Sequence, residues 1–365
     1  MLRLKLKIIM KVGILGDGLT SLALAKMLVN KCIYVDLLSE DKIINYSQSR
    51  TFGITKKNFD FFTHKILDIK KISWKLSNIE IYTENLPNQK ILEFKKINSK
   101  IFSIIRNDQL YKNLNVDLKR NKFFKKKLIR NNNFSITEKY NLIFNCNKDH
   151  SITKKFFSKK IEKKYNSVAH TAIIKHQKID NQVAIQIFTK LGPIAFLPIS
   201  NSETSIVYSI NTNRSVDLES LINKYNTKYS ILKILDKKSF KLKSLNLRNY
   251  YYKNILCFGD LIHKIHPLAG QGFNMTIRDI IDLSKIIDNK IELGLELNSS
   301  IFYEFEKKTK HRNFIFSQGI DLIYNFFDQE RKIKGKFISQ SLKYLGKNKY
   351  FKEIFTKFAD EGLSL

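Results

Sequence analysis

The sequence predicts an α/β protein, in which a Rossmann-like nucleotide unit is interrupted by a mixed β-sheet and followed by helices. Three observations lead there. A strand, glycine turn, helix and strand open the chain; β-forming alternation fills its middle; and helical periodicity runs through its last quarter.

Val12 to Leu15 is a short apolar run, and Gly16-Asp17-Gly18 follows at once. Leu19 to Val29 carries Leu22, Ala25, Met27 and Leu28 at spacings that suit a buried helix, and Ile33 to Leu38 reads as a second strand. This is the opening βαβ half of a dinucleotide fold. Ile79 to Phe94 and Val168 to Ile210 alternate apolar with polar residues and are rich in β-formers, which predicts sheet. Between them Gln109 to Leu118 reads as helix and Tyr140 to Cys146 as a buried strand. Beyond Gly272 the pattern is helical, through Ile280 to Ile287, Ile301 to Phe316 and Ile338 to Phe358. With only four prolines and no internal repeat, punctuation marks no domain borders.

A chain of 365 residues with 43% apolar and 12% aromatic content can bury a large core and lies outside the compositional range of disorder. No stretch approaches the ~18 to 20 uninterrupted apolar residues of a membrane span. The basic segment Met1 to Met10 lacks the apolar core and cleavage site of a secretory signal. Met10, directly before the first strand, reads as the natural start, with residues 1–9 as an extension. Cys32, Cys146 and Cys257 are odd in number and widely spaced, which fits neither a disulfide framework nor a metal site and points to a reducing compartment. The formal charge of +32 has three readings. They are compositional drift, since Lys far exceeds Arg and Asn and Ile are inflated too; attraction to an anionic membrane; and nucleic acid. No RNP, zinc-finger or basic-zipper pattern accompanies the lysines, so nucleic acid is set aside.

Two motifs carry chemistry. The first is Gly16-Asp17-Gly18-Leu19-Thr20-Ser21, between strand and helix. Gly16 permits the tight turn, and Gly18 lets the backbone approach a pyrophosphate on the helix N-terminus. Ser21 holds the position of the third glycine, Ser39 that of the acid at the end of the second strand, and Glu40 and Asp36 flank it. Alone, this pattern leaves a dinucleotide site and an ordinary glycine turn both open. The second motif runs from Cys257 to Asn274 and contains Gly259-Asp260, His263, His266-Pro267 and Gly270-Gln271-Gly272. Asp260 can accept hydrogen bonds from the hydroxyls of a sugar-like chain, and the glycines at a helix start present N–H groups to an anion.

This second stretch resembles the Gly-Asp-x-x-His-x-x-His-Pro-x-x-Gly-Gln-Gly signature of the class A FAD-dependent aromatic hydroxylases, and in particular their ubiquinone-biosynthesis branch. The resemblance extends to Ser49-Arg50-Thr51, to Phe102 to Leu110 with Arg106, to Ile187 to Pro198, to Tyr303 to Phe327 and to Ala359 to Leu363. It implies the p-hydroxybenzoate-hydroxylase-type FAD fold. The FAD-binding domain would then occupy 10–75, 101–165 and 241–290, the inserted substrate sheet 76–100 and 166–240, and the C-terminal helices 291–365.

The resemblance also implies roles. Gly16, Gly18, Leu19 and Thr20 would meet the FAD pyrophosphate, and Ser39 and Glu40 would stand near the adenosine ribose. Arg50 and Arg106 match arginines near the flavin, although either also reads as a surface arginine. Asp260 would bind the ribityl chain, and Pro267, Gly270, Gly272, Phe273 and Asn274 would follow the isoalloxazine ring. The candidate catalytic set is His266, Pro267, Gly270 and Gln271. His266 reads as a proton-handling group or as a loop-fixing hydrogen bond. A metal role for His263 and His266 lacks a third ligand. The aromatic C-terminal helices read as core or as a ligand-lining box.

The activity implied is hydroxylation of a polyprenylated phenol in ubiquinone biosynthesis, with NAD(P)H as reductant and O₂ as oxygen donor. Attachment to the inner face of an anionic membrane from the cytoplasm, and contact with other proteins of the pathway, are further expectations. Where the family carries Ala-Asp-Gly-x-x-Ser, a motif serving both FAD and NAD(P)H, this chain reads Cys146-Asn147-Lys148-Asp149-His150-Ser151. A flavin reductase of the same fold and a non-catalytic FAD-binding member are therefore the rival readings.

Overall fold

The computed structural model describes residues 10–40, 50–95, 101–129, 138–211, 216–267, 270–333, 337–348, 350 and 353. The chain opens with β1 (Lys11–Leu15), α1 (Leu19–Val29), β2 (Tyr34–Ser39), β3 (Thr51–Thr55) and α2 (Lys56–Phe61). It continues through β4 (Ser73–Leu76), β5 (Asn78–Thr83), β6 (Lys90–Lys95), β7 (Phe102–Arg106), α3 (Asn107–Lys119), β8 (Phe124–Leu128), β9 (Leu142–Asn145) and α4 (Ser151–Phe156). The middle holds β10 (Lys160–His176), β11 (Val183–Thr189), β12 (Gly192–Pro198), β13 (Glu203–Ile210), α5 (Leu218–Tyr225) and β14 (Ile231–Leu247). The last part holds β15 (Tyr251–Tyr252), β16 (Ile255–Cys257), β17 (His263–Lys264), α6 (Gln271–Glu292), α7 (Ser300–Ile333) and α8 (Phe337–Leu345).

A six-stranded sheet in the order β15-β16-β9-β1-β2-β8 carries the nucleotide fold, with β1 parallel to both β2 and β9. Val12, Ile14 and Leu15 are fully buried in it, and α1 packs on it with Leu22, Ala25 and Met27 almost without exposure. β8, which contains Lys125-Lys126-Lys127, is an edge strand rather than a free basic loop. Lys127 pairs with Asp36 at 2.6 Å, and Tyr140 Oη donates to the same carboxylate at 2.9 Å. Asp36 is thus committed to the sheet, its carboxyl held below the usual range by these donors and Lys11 against the opposing effect of burial.

The inserted sheet has eight strands in the order β17-β14-β10-β13-β12-β11-β5-β6. Its two 17-residue strands, β10 and β14, pair antiparallel and run past the borders expected at 165/166 and 240/241. β14 carries Lys233, Lys237, Lys238 and Lys241 in its exposed first part, which is why its strand period is hard to see in a lysine-rich chain. A small sheet, β3-β7-β4, lies between the larger ones. α6 and α7 complete the fold, with Phe302 and Phe305 of α7 fully buried in the main core. No helix among the described residues is long and apolar enough to cross a membrane. The expected helix 338–358 is seen as α8, which ends before Gly346; most of the chain beyond Asn348 lies outside the described residues, as do residues 1–9, Ser49 and 359–363.

Candidate active site

β1 is flanked by β2 on one side and β9 on the other, so the chain reverses its direction of travel across the sheet at this strand. A crevice at the carboxyl ends of the strands is the usual ligand site at such a point. Gly16 sits there with φ +97°, a left-handed conformation that a side chain would strain, and its N–H donates to Leu38 O at 2.9 Å. Gly18 begins α1. No side chain caps this helix and no acidic residue stands in its first turn, so its N-terminal N–H groups face outward to an anion. A Cβ on Gly18 would meet nothing within 4 Å.

The second glycine loop meets the first by close packing. Gly259 has φ +66°, and a Cβ there would lie 2.6 Å from Thr20 Cγ2, so only glycine lets the two loops touch. Asp260 follows, exposed on the wall shared with Gly18, Leu19 and Thr20. Gly270, at φ +64°, turns the chain into α6, whose first turn also lacks an acid. Asn274 then fixes this helix start to β3. Its Oδ1 accepts from Thr55 N at 3.1 Å and Asn58 Nδ2 at 2.9 Å, while its Nδ2 donates to Gly53 O at 2.8 Å.

The loops converge on a cavity of about 630 Å³ between the nucleotide fold, the inserted sheet and α7. That volume suits a small-molecule or cofactor site. Ile79, Phe94, Ala195, Leu197, Val207, Phe240 and Leu242 line its sheet side, and Phe316, Ile320, Phe326 and Phe327 its helix side. Arg50, Lys56, Lys243, Lys264 and Asp260 are the charged lining residues, with His263 beside them. His263 Nε2 is bound to the buried Asp279, which also accepts from Asn313 Nδ2 at 2.9 Å. Cys146 lines the wall too, but burial pushes its thiol up to about 12, so it offers no thiolate near neutral pH.

Of the expected site residues, Gly18, Leu19, Thr20, Arg50, Asp260, Pro267, Gly270, Gln271, Gly272 and Phe273 share this cavity wall. Gly16 shapes the turn behind it. Five others lie off this wall. His266 is fully buried off the cavity wall, between Tyr165 and Tyr324 at ring distances of 5.0 and 4.4 Å. Among the described residues neither ring nitrogen has a hydrogen-bond partner. Burial, with Lys163 nearby, lowers its pKa to about 3 and keeps it neutral. Arg106 turns away to Glu203 at 3.1 Å, joining the start of α3 to β13. Asn274 is the clamp described above rather than a group facing the cavity. Ser39 and Glu40 close the strand ends outside the cavity wall, where Glu40 accepts from Asn147 Nδ2 at 3.1 Å. Among the described residues no cluster of His, Cys, Asp and Glu is arranged to hold a metal ion.

Asn107 was not anticipated. It is buried at the start of α3 and lines the cavity, and its position after Arg106 makes it read as an ordinary helix-start residue. The aromatic helices divide between the two expectations: Phe302 and Phe305 are core, while Phe316, Phe326 and Phe327 face the cavity.

These residues fit an FAD. Two bare helix N-termini point at the crevice, Gly18 and Gly272 leave open space where a Cβ would stand, and Asp260 offers an acceptor between them. Asn107 Oδ1 and Gln271 Oε1, both buried on the cavity wall, have no partner among the described residues and are suited to a polar ligand.

Comparison with known proteins agrees. Residues 212–292 match the family model described as FAD binding domain. A ubiquinone biosynthesis monooxygenase COQ6 of Dictyostelium discoideum is 26% identical over 183 residues, 39% of this chain and 37% of that protein. The 3-demethoxyubiquinol 3-hydroxylase of Escherichia coli K12 is 28% identical over 152 residues, 39% of each chain. The match thus spans well under half the length of these curated relatives. Among solved structures, the p-nitrophenol 4-monooxygenase PnpA of Pseudomonas putida DLL-E4 has a TM-score of 0.77 at 10% identity, over 97% of this chain and 99% of that one. Klebsiella pneumoniae HpxO, solved with FAD and uric acid, has a TM-score of 0.72 at 11% identity, over 97% and 96%. The chain thus carries a stretch that matches an FAD binding domain, shares the fold of these solved monooxygenases, and has ubiquinone-biosynthesis hydroxylases among its sequence relatives.

Proposed function

We propose that this protein is an FAD-dependent monooxygenase that hydroxylates the aromatic ring of a polyprenylated phenol in ubiquinone biosynthesis, with NAD(P)H and O₂ as co-substrates. The observation that carries this reading is one cavity with two unlike walls. The glycine loops, Asp260, Asn107 and Gln271 form a polar wall, and the inserted sheet with α7 forms an apolar one. FAD, when bound, would supply the chemistry that links NAD(P)H oxidation to transfer of one oxygen atom of O₂. Gly18 and Asp260 would hold its phosphate and ribityl parts. The free N–H groups at the start of α6 would stabilise negative charge on the ring system they face, already oriented and so without reorganisation. The apolar wall receives the substrate ring and excludes water.

Association with the inner face of an anionic membrane is part of the same proposal, because a polyprenylated substrate partitions into lipid. Phe337, Tyr344, Leu345 and Tyr350 are exposed on and just after α8, beside Lys343 and Lys347. Leu342 of the same helix lines the cavity, so the surface that would meet lipid adjoins the site. Docking with other proteins of the pathway follows from the same need to receive an insoluble substrate. A non-catalytic FAD-binding role is the second reading, favoured by Asn147 and Lys148 in the nicotinamide-linked motif.

The test supplies NAD(P)H, a short-chain prenylated phenol and ¹⁸O₂. One labelled oxygen in the product supports the monooxygenase. NAD(P)H oxidation without label indicates a reductase, and a yellow but inert protein indicates the non-catalytic role.

A further inference from the structure

Four cationic groups of the cavity wall, Arg50, Lys56, Lys243 and Lys264, stand in different company. Arg50 lies over the ring of Phe52 at 5.6 Å, on the β3–α2 side next to the glycine loops, and Lys56 begins α2 beside it. These two suit the pyrophosphate of a dinucleotide. Lys264 comes from a different element. It belongs to β17, the edge strand of the inserted sheet, where it is paired with Leu245 of β14. Like Phe240, Leu242 and Ile265, it lines the cavity. It is half-buried and its ammonium makes no hydrogen bond or ion pair with any described residue, whereas the neighbouring Lys243 is bound to Glu162 at 2.9 Å.

We propose that Lys264 is the substrate-recognition cation of this cavity, which binds the phenolate oxygen of the aromatic substrate and so selects a ring bearing an ionisable hydroxyl. This rests on the phenol-hydroxylase reading above. A cation in a cavity whose lining is largely apolar favours an anion with an aromatic body, since the charge is met by Nζ and the ring by the apolar lining. Lys264 lies where the sheet meets Asp260, so the oxygen it holds would sit at the border between substrate and cofactor regions. The groups that face it are Asp260, Lys243, Arg50 and Lys148. Burial and the three cations lower its pKa, against the effect of Asp260, and an anionic partner relieves that strain on the ammonium. On binding, the phenol O–H bond breaks, the electron pair stays on oxygen and the proton goes to solvent. No oxidant is involved. The ring becomes more electron-rich, as oxygen transfer requires.

The test compares wild type, Lys264→Met and Lys264→Arg, each loaded with FAD, using two probes. One is 4-nitrophenol, whose phenolate absorbs in the visible; the other is its methyl ether 4-nitroanisole, which cannot ionise. In wild type and Lys264→Arg, bound 4-nitrophenol should ionise at lower pH than free probe. Lys264→Met should remove that shift and weaken 4-nitrophenol about tenfold or more, the loss expected for a charge-assisted hydrogen bond. Binding of 4-nitroanisole and of FAD should not change. Equal losses for both probes, or an unchanged ionisation shift in Lys264→Met, would overturn the assignment while leaving the hydroxylase reading in place. If the yellow wild-type protein bound neither probe, the phenol reading would fall first and this inference with it.

Discussion

Asn147 Nδ2 donates to Glu40 Oε1 at 3.1 Å, joining the carboxyl ends of β9 and β2 across the Gly16 turn. The bond uses an amide where the resemblance implies an aspartate, and an acid one place beyond the position where a dinucleotide fold expects it. Each departure explains the other, since an aspartate at 147 would face the Glu40 carboxylate. Asn147→Asp should therefore destabilise the protein by about 1 kcal/mol at neutral pH. The paired carboxylates raise one folded-state pKa, so the loss is full above that pKa and fades as pH falls through it. Thermal melts at pH 8 and pH 4 check this: the gap in Tm between the two proteins should narrow on acidification.

Asp260→Ala should weaken FAD more than Gly18→Ala does. Asp260 offers a charged acceptor, and such hydrogen bonds contribute about 1.5–3 kcal/mol each. Gly18 has an ordinary negative φ and open space around its missing Cβ, so alanine there leaves the fold intact and adds one methyl to the pyrophosphate side. Flavin fluorescence titration separates the two; an equal or larger loss for Gly18→Ala would place the cofactor differently.

His266 should make the protein acid-sensitive. Its pKa is lowered from 6.5 to about 3 by burial. Between those values the unfolded chain binds a proton that the folded one does not, so stability falls as pH drops through this window. His266→Phe should flatten that slope without affecting FAD affinity, because the ring lies off the cavity wall. Denaturant melts at intervals from pH 7 to pH 4 measure it. An unchanged slope, or loss of flavin, would contradict the buried and non-catalytic role.

How much of this was legible in the sequence depended on whether a feature is local. The Gly16 and Gly18 turn, α1 and the Gly259 to Gly272 loop follow from glycine chemistry and apolar period, and all lie where that chemistry predicts. β8 and β14 were hidden because lysine fills their exposed positions and hides the strand period. His266, Arg106 and Asn274 were misplaced for another reason. Their motif neighbours reach the cavity, but rotation along a loop or helix sends these side chains to Tyr165 and Tyr324, to Glu203, and to Asn58. Asn107 and Lys264 line the cavity with residues distant in sequence, and only the fold brings them there. Local spacing carries no record of such neighbours.

Vesicle binding tests the surface beside α8. Co-sedimentation should require anionic lipid and fade at high salt, since each lysine near such a surface contributes about 1 kcal/mol, screened within a Debye length. Replacing Phe337 and Tyr344, 79% and 78% exposed, with serine should reduce binding without loss of flavin. Equal sedimentation with neutral vesicles, or none at low salt, would mean that substrate reaches the cavity another way.

The central claim is that the two glycine loops hold one FAD. The most direct measurement is the absorbance spectrum of the purified protein, with chromatographic identification of the cofactor released by acid. The account predicts a yellow protein that releases non-covalent FAD, close to one per chain after reconstitution. A colourless protein that FAD cannot reconstitute, or one that releases FMN, would contradict it.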